Sequence, residues 1–401
     1  MGVQLLMKRD YQTHVFTSTY TADVSGVCSA MYELGGMSVL HDPSGCNSTY
    51  STHDEPRWFD SDSLMYVSGL DEITAVMGDD SVLINDVVAA VNDLHPRFVT
   101  LCGASIPHII AFDFRGVAYL IEQKIGIPVL PVPTDGLKSY VSGVALAFNA
   151  FLDRFGDPAE YREAAENTVN LLGVTPLDFS VNGNVEKLRE TFEKAGFTVN
   201  CCMAMGDSIE TVSHAYRAKC NVVVSSAGRK TAKLMKKKSG MPYVEGLPIG
   251  KDASEAVISA VRETMSDGVS RVIWGEFGNT DRYSVPDGGI LVIGEEIFAK
   301  SLADSLNRMP AEVTGGKPAY PYWPDEDEGL PEEELIRAVA GSDVIIGDPL
   351  YQVVLRKGTG KCFVPFPHEA YSGRIYRSSI PVFAGEGFSI EEYLKKEGRN
   401  K

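Results

Sequence analysis

The sequence predicts an α/β fold built from three doubly wound, mostly parallel sheets. Short runs of Val, Ile and Leu, each bounded by turn residues, recur along the chain, which is typical of strands buried on both faces. Stretches with one apolar helical face lie between these runs. Because the chain has 401 residues, it is too long for one compact core and should contain two or three domains.

The apolar runs give the predicted strands in chain order: 38–40, 97–103, 126–133, 220–226, 288–295 and 342–348. A helix is predicted over 184–197, where Asn184 can cap the start and Gly196 can end it. The pattern restarts near 177 and near 288. We therefore expect three α/β domains, of which the third includes the C-terminal return of the chain: 1–176, 177–287 and 288–401.

Composition excludes several classes of partner. The net charge of −17 argues against binding nucleic acid, and the one basic run, 233–240, is predicted to be the exposed end of a helix. No segment reaches the roughly 20 apolar residues of a membrane helix, and the first ten residues lack the apolar run of a signal peptide. A cytoplasmic protein without a nucleotide fingerprint or P-loop is expected.

Seven cysteines without a CxxC pair in a reducing compartment favour metal ligation over disulfides. Cys46 directly follows an Asp-Pro-Ser-Gly turn, Cys102 ends a predicted strand, and Cys28 precedes both. Since the carboxyl ends of parallel strands share one edge of a sheet, these three cysteines could converge. The alternative is that Cys28 and Cys102 are small core residues. Core packing is expected for the other four, Cys201, Cys202, Cys220 and Cys362.

Several segments, taken in order, resemble the component 1 proteins of nitrogenase and their relatives: Cys28, HDPSGC at 41–46, SGLDEITAVMGDD at 68–80, HPRFVTLCGASI at 95–106 and IPVLPVPTDGLKSYVSGVALAF at 127–148. That family includes nitrogenase subunits, the scaffold pair that builds the nitrogenase cofactor, dark-operative chlorophyllide-type reductases and the reductive cyclase subunit of coenzyme F430 synthesis. The resemblance implies three Rossmann-like (flavodoxin-like) domains with the nitrogenase component 1 fold.

The resemblance also implies that Cys28, Cys46 and Cys102 hold an iron-sulfur cluster, either 4Fe-4S or a larger 8Fe-7S cluster of the P-cluster type, at a subunit interface. Three thiolates leave a cubane one ligand short, so a second chain or a carboxylate such as Asp42 must supply the rest. We therefore expect a homodimer or a heteromer with a close paralogue. A separate ATP-hydrolysing iron-sulfur reductase, similar to the nitrogenase iron protein, is expected to dock and deliver electrons.

A substrate pocket is expected between the three domains. Where the nitrogenase catalytic subunit anchors its cofactor by a cysteine, this sequence offers Ser225, so no molybdenum, vanadium or iron cofactor of the nitrogenase type is expected. Ser225 is a candidate residue of this pocket. His368 lies near a family histidine and is a second candidate, with a histidine hydrogen-bonded in a loop as the alternative. Arg229 and Lys230 could bind acidic groups of a substrate.

The predicted function is therefore that of the electron-accepting catalytic component of a two-component reductase. Its substrate would be a small molecule or a compound similar to a tetrapyrrole. Two alternatives remain open: a scaffold on which a metallocluster is assembled, and a non-catalytic partner subunit of a heteromer.

Overall fold

The computed structural model describes residues 21–43, 55–275, 288–323, 332–355 and 360–398. Within these ranges the chain forms three parallel sheets of four, five and four strands, with helices packed against them. The predicted α/β class is confirmed. In a parallel sheet with helices on its faces the strands are buried on both sides, which explains their continuous apolar runs.

The first sheet has the strand order β2-β1-β3-β4. Its strands are β1 (Met37–His41), β2 (Leu64–Val67), β3 (Val99–Gly103) and β4 (Val129–Val132). The helices of this part of the chain are α1 (Asp23–Met31), α2 (Glu72–Met77), α3 (Ser81–Leu94), α4 (Ser105–Ile109), α5 (Phe114–Ile125) and α6 (Tyr140–Phe155). In the register of β1 and β3, Leu40 lies beside Cys102 and His41 beside Gly103.

The second sheet has the order β6-β5-β7-β8-β9. Its strands are β5 (Thr168–Leu172), β6 (Thr198–Cys201), β7 (Cys220–Val223), β8 (Tyr243–Glu245) and β9 (Arg271–Val272). The helices here are α7 (Pro176–Phe179), α8 (Asn184–Lys194), α9 (Ile209–Ser213), α10 (Arg229–Ser239) and α11 (Gly250–Asp267). The strand β5 of this second sheet ends at Leu172, before the domain boundary predicted at residue 176. The division into 1–176, 177–287 and 288–401 stays a prediction.

The third sheet has the order β11-β10-β12-β13. Its strands are β10 (Ile290–Ile293), β11 (Ala319–Tyr322), β12 (Val344–Gly347) and β13 (Cys362–Pro365). The accompanying helices are α12 (Glu296–Arg308), α13 (Ala311–Thr314), α14 (Glu332–Gly341), α15 (Glu369–Tyr376) and α16 (Ile390–Glu397). No helix in the described ranges is long and apolar enough to cross a membrane.

The largest apolar core runs continuously through residues of all three sheets. Helix α1 packs against α6 with almost no space between the two backbones. A Cβ atom on Gly26 would lie 2.2 Å from the Tyr140 carbonyl oxygen, and one on Gly143 would lie 1.8 Å from the Asp23 carbonyl oxygen. Only glycine fits at these two positions, and the close packing fixes α1 on the first sheet.

The predicted helix at 184–197 forms as α8, but its start differs from the prediction. Gly183, with a φ of 104°, takes the capping position, and Asn184 is fully buried. The Asn184 side-chain oxygen accepts hydrogen bonds from the backbone N–H groups of Phe383 and Ala384 at 2.8 and 2.9 Å. Asn184 therefore ties the second sheet to the C-terminal return. The basic run 233–240 does form the exposed end of a helix, α10, as predicted.

Candidate functional site

Two of the three predicted cluster cysteines lie side by side. Cys28 is on α1 and Cys102 is on β3; their exposed fractions are 2% and 0%, and both thiols are free. The Cys28 thiol donates a hydrogen bond to the Cys102 sulfur, and this bond together with burial raises the pKa of Cys28 well above its usual range. The Cys102 sulfur also lies 3.8 Å from the Val39 carbonyl oxygen of the neighbouring strand. Cys46 lies outside the described residues, so its place beside this pair stays a prediction.

The chain leaves β1 beside this pair through His41 and Asp42. Ser68 holds both residues: its hydroxyl lies 2.9 Å from His41 Nδ1 and 3.2 Å from the Asp42 backbone nitrogen. Burial lowers the pKa of His41 to about 4, and its ring packs 4.3 Å from that of Phe112. In the parts of the chain that the structure describes, no three His, Cys, Asp or Glu side chains form a group that could hold a metal ion. Because Cys46 lies outside these parts, the role of Asp42 as an extra ligand stays a prediction.

The carboxyl edge of the first sheet exposes two short apolar helices. Helix α2 follows β2 and exposes Ile73, Val76 and Met77 by 75, 80 and 74%. Helix α4 follows β3, and its Ile109 is 74% exposed. Because Cys102 is the next-to-last residue of β3, this apolar surface begins at the strand that carries the thiol. Clustered exposed apolar side chains are typical of protein interfaces.

A second polar group forms where residues from all three sheets meet at Asp178. This carboxylate, on α7, accepts hydrogen bonds from the Tyr140 hydroxyl at 2.5 Å and from the Ser225 hydroxyl at 2.7 Å. His368 Nε2, which comes from the chain after β13, lies 3.3 Å from the same carboxylate. All four residues are buried. The structure thus brings the two pocket candidates, Ser225 and His368, to one shared carboxylate.

Two more buried carboxylates border this group. Glu295 caps the start of α12 and accepts hydrogen bonds from the backbone N–H groups of Ser226 and Phe298 at 2.8 and 2.9 Å. Burial, together with the charge of Asp178, raises the pKa of Glu295 to about 7. Asp348 accepts hydrogen bonds from the Ser372 hydroxyl at 2.6 Å and from the His368 backbone N–H at 2.9 Å. The centre of the molecule can therefore hold a proton near neutral pH.

Arg229 and Lys230, which were predicted to bind acidic groups of a substrate, have protein partners of their own. Arg229 donates to Glu245 at 2.9 Å and to Glu296 at 2.6 Å. This double ion pair argues against the predicted role of Arg229 in binding acidic groups of a substrate, because its charge is already balanced. Lys230 is exposed, and its ammonium group lies 3.4 Å from the Ser142 hydroxyl.

Sequence reasoning missed Tyr140, Asp178 and Glu295. Each lies in an ordinary-looking helix or helix start, and each gains its role only through contacts across sheets that are distant in the chain. One signal was available: Asp178 and Glu295 are acidic residues shortly after apolar strands, where parallel sheets gather their ligands. Of the cysteines predicted to be core residues, Cys201, Cys202 and Cys220 are buried and Cys362 is half-buried.

The family model of nitrogenase component 1 type oxidoreductases matches residues 25–276, more than half of the chain. The chain belongs to this family. The match includes β1 to β9 and both Cys28 and Cys102.

Curated relatives are similar over part of the chain. The nitrogenase iron-molybdenum cofactor biosynthesis protein NifE of Methanococcus maripaludis is 25% identical over 57% of this chain and 48% of its own length. NifE of Clostridium pasteurianum is 27% identical over 56% of this chain and 52% of its own. A light-independent protochlorophyllide reductase subunit of Methylocella silvestris is 25% identical over 56% of this chain and 46% of its own. The chain thus spans about half the length of the curated relatives it matches.

A solved structure of nitrogenase Cp1 at pH 6.5 aligns with 96% of this chain and 93% of its own, with a TM-score of 0.65 and 15% identity. At that identity the likeness establishes the nitrogenase component 1 fold.

Proposed function

We propose that this protein is the electron-accepting component of a nitrogenase-like two-component reductase. The observation that carries the proposal is the contact between the buried thiols of Cys28 and Cys102 at the carboxyl edge of the first sheet. Thiolates are the ligands that iron-sulfur clusters require. Cys46 would be the third ligand, and a bound cluster would take up and release single electrons.

A partner chain would complete the site. Two adjacent thiols and a third cysteine do not satisfy a four-cysteine cubane, and the apolar helices α2 and α4 extend from this edge of the sheet. Burying their exposed side chains against a second copy or a close paralogue would remove apolar surface from water. The same proposal includes docking of an ATP-hydrolysing iron-sulfur reductase, and it assigns the protein to the cytoplasm.

The substrate would bind near Asp178, where the three sheets meet. Ser225 and His368 supply hydrogen-bonding groups there, and Glu295 can hold a proton close to neutral pH. Reduction of an organic double bond consumes protons as well as electrons, so a buried proton-holding group suits a small molecule or a substrate of the tetrapyrrole type. Because Ser225 binds a carboxylate through its hydroxyl, we propose that no nitrogenase-type metal cofactor is anchored there.

A metallocluster scaffold is the second candidate. It is favoured by the similarity to NifE proteins, whose name places them in cofactor biosynthesis. A scaffold would use the same three cysteines but would give its metal cluster away.

One experiment tests both candidates. The protein is loaded anaerobically with iron and sulfide, mixed with nitrogenase iron protein and MgATP, and followed by electron paramagnetic resonance. An electron-accepting component is reduced only when ATP is present and keeps its iron over many cycles. A scaffold loses iron to an added cofactor-free nitrogenase component 1. If the loaded protein takes up no electrons from the iron protein, although dithionite reduces it, the reductase proposal is wrong.

A further inference from the structure

Arg57 is a buried arginine close to the helix that carries Cys28. It is 4% exposed, and its guanidinium makes hydrogen bonds to residues from separate parts of the chain. It binds Glu55 at 2.7 Å, Glu33 at 2.8 Å and the Ala204 carbonyl oxygen at 2.8 Å. Its face also covers the Tyr32 ring at 4.6 Å.

The same guanidinium holds the end of the helix that carries Cys28. Arg57 Nη2 donates to the carbonyl oxygen of Ser29, the residue after Cys28, at 2.7 Å. Helix α1 ends at Met31, so this carbonyl belongs to the last turn, where helix carbonyls lack partners within the helix. A cation at this end also interacts favourably with the helix dipole. Arg57 therefore fixes the C-terminal turn of α1 beside the thiol.

The group of Arg57, Glu55 and Glu33 contains one more carboxylate than guanidinium. Burial alone would lower the pKa of Arg57, but the charges of Glu55 and Glu33 raise it above its usual range. Glu33 is further held by the backbone N–H of Gly206 at 2.7 Å. Glu55 is 4% exposed, so solvent screens its charge only weakly.

We propose that Glu55, held in place by Arg57, is a tuning residue that lowers the reduction potential of the iron-sulfur cluster bound at Cys28 and Cys102. This inference rests on the proposed function. Glu55 is hydrogen-bonded to Arg57, which in turn donates to the carbonyl oxygen of Ser29, the residue after Cys28. A buried negative charge at this distance makes it less favourable to add an electron to the cluster, because net charge near a cluster sets its potential.

The test compares the midpoint potential of the reconstituted cluster in wild type, Glu55→Gln and Glu245→Gln. Glu245 is a matched control because it is also a buried carboxylate paired with an arginine, the half-buried Arg229, but it belongs to the second sheet. At a fixed solution potential, Glu55→Gln should raise the ratio of reduced to oxidised cluster about tenfold, which corresponds to about 59 mV for one electron. Glu245→Gln should leave the ratio unchanged.

A second variant covers the case in which Glu55→Gln does not fold. Glu33→Gln removes the more exposed carboxylate of the same group and should raise the potential by a smaller amount. If every folded variant of Glu55→Gln and Glu33→Gln carries a cluster with the wild-type potential, the tuning role of Glu55 is overturned while the proposed function stands. If the wild-type protein binds no cluster at all, both are overturned.

Discussion

Replacing Glu295 with Gln should change how stability depends on pH. Glu295 is 3% exposed, and its pKa of about 7 lies above the ordinary value of 4.5. The folded chain therefore holds the proton more tightly than the unfolded chain. The stabilisation is fully present below about pH 4.5 and is lost as the pH rises through 7, because above that pH burying the ionised carboxylate costs free energy.

The size of the effect follows from this shift. One pKa unit corresponds to about 1.4 kcal/mol, so the total is about 3 kcal/mol, of which about 2.5 kcal/mol falls between pH 5 and 8. If all 401 residues unfold together, this equals a difference of about 3 °C in Tm. Since Gln is neutral at every pH, the Tm of wild type relative to Glu295→Gln should fall by that amount from pH 5 to 8.

Glu296→Gln is the control, because the neighbouring Glu296 has the opposite shift. Its hydrogen bonds and ion pairs with Arg229 and Lys300 outweigh burial and hold its pKa below the ordinary value. It therefore stays ionised from pH 5 to 8, and the Tm difference between wild type and Glu296→Gln should be nearly constant. If calorimetry shows that the Tm difference between wild type and Glu295→Gln is also constant from pH 5 to 8, the conclusion that Glu295 holds a proton near neutral pH is wrong.

Three further predictions concern the metal site. Cys28→Ala and Cys102→Ala should lower the iron content of the reconstituted protein. Cys201→Ala should not, because the Cys201 thiol is buried in the second sheet, where it donates to the Asn170 side-chain oxygen; equal loss in all three variants would argue against the thiol pair. The loaded protein should sediment as a dimer or larger, and a sole species of 43.6 kDa would contradict a shared cluster. Metal analysis of protein from its native host should show no stoichiometric molybdenum or vanadium. Finding either metal, or a spin 3/2 cofactor signal in electron paramagnetic resonance, would contradict the proposal that no nitrogenase-type cofactor is anchored at Ser225.

The sheets could be predicted from the sequence because their strands are buried on both faces. Runs such as 97–103 and 288–295 consist largely of apolar residues between turn residues, and each contains a strand of the structure, β3 and β10. The position of Cys102 at this edge could also be anticipated, because strand ends of a parallel sheet share one edge. Cys28 lies on helix α1, so its contact with Cys102 follows from how α1 packs on the sheet.

The polar contacts between distant parts of the chain could not be predicted. Asp178 and His368 are 190 positions apart in the numbering, and their 3.3 Å contact depends on how the second and third sheets pack. Arg57 is an ordinary charged residue in the sequence, and only the fold places it between Glu55, Glu33 and the end of α1. Pattern and spacing carry no information about such pairings, since they arise from packing of whole units.

Iron and acid-labile sulfide analysis of the anaerobically purified and reconstituted wild-type protein shows whether it binds an iron-sulfur cluster. If Cys28, Cys46 and Cys102 hold an iron-sulfur cluster, the protein is brown and contains about four irons or more per dimer, with a matching amount of sulfide. Folded protein that remains colourless and free of iron after reconstitution would contradict the claim.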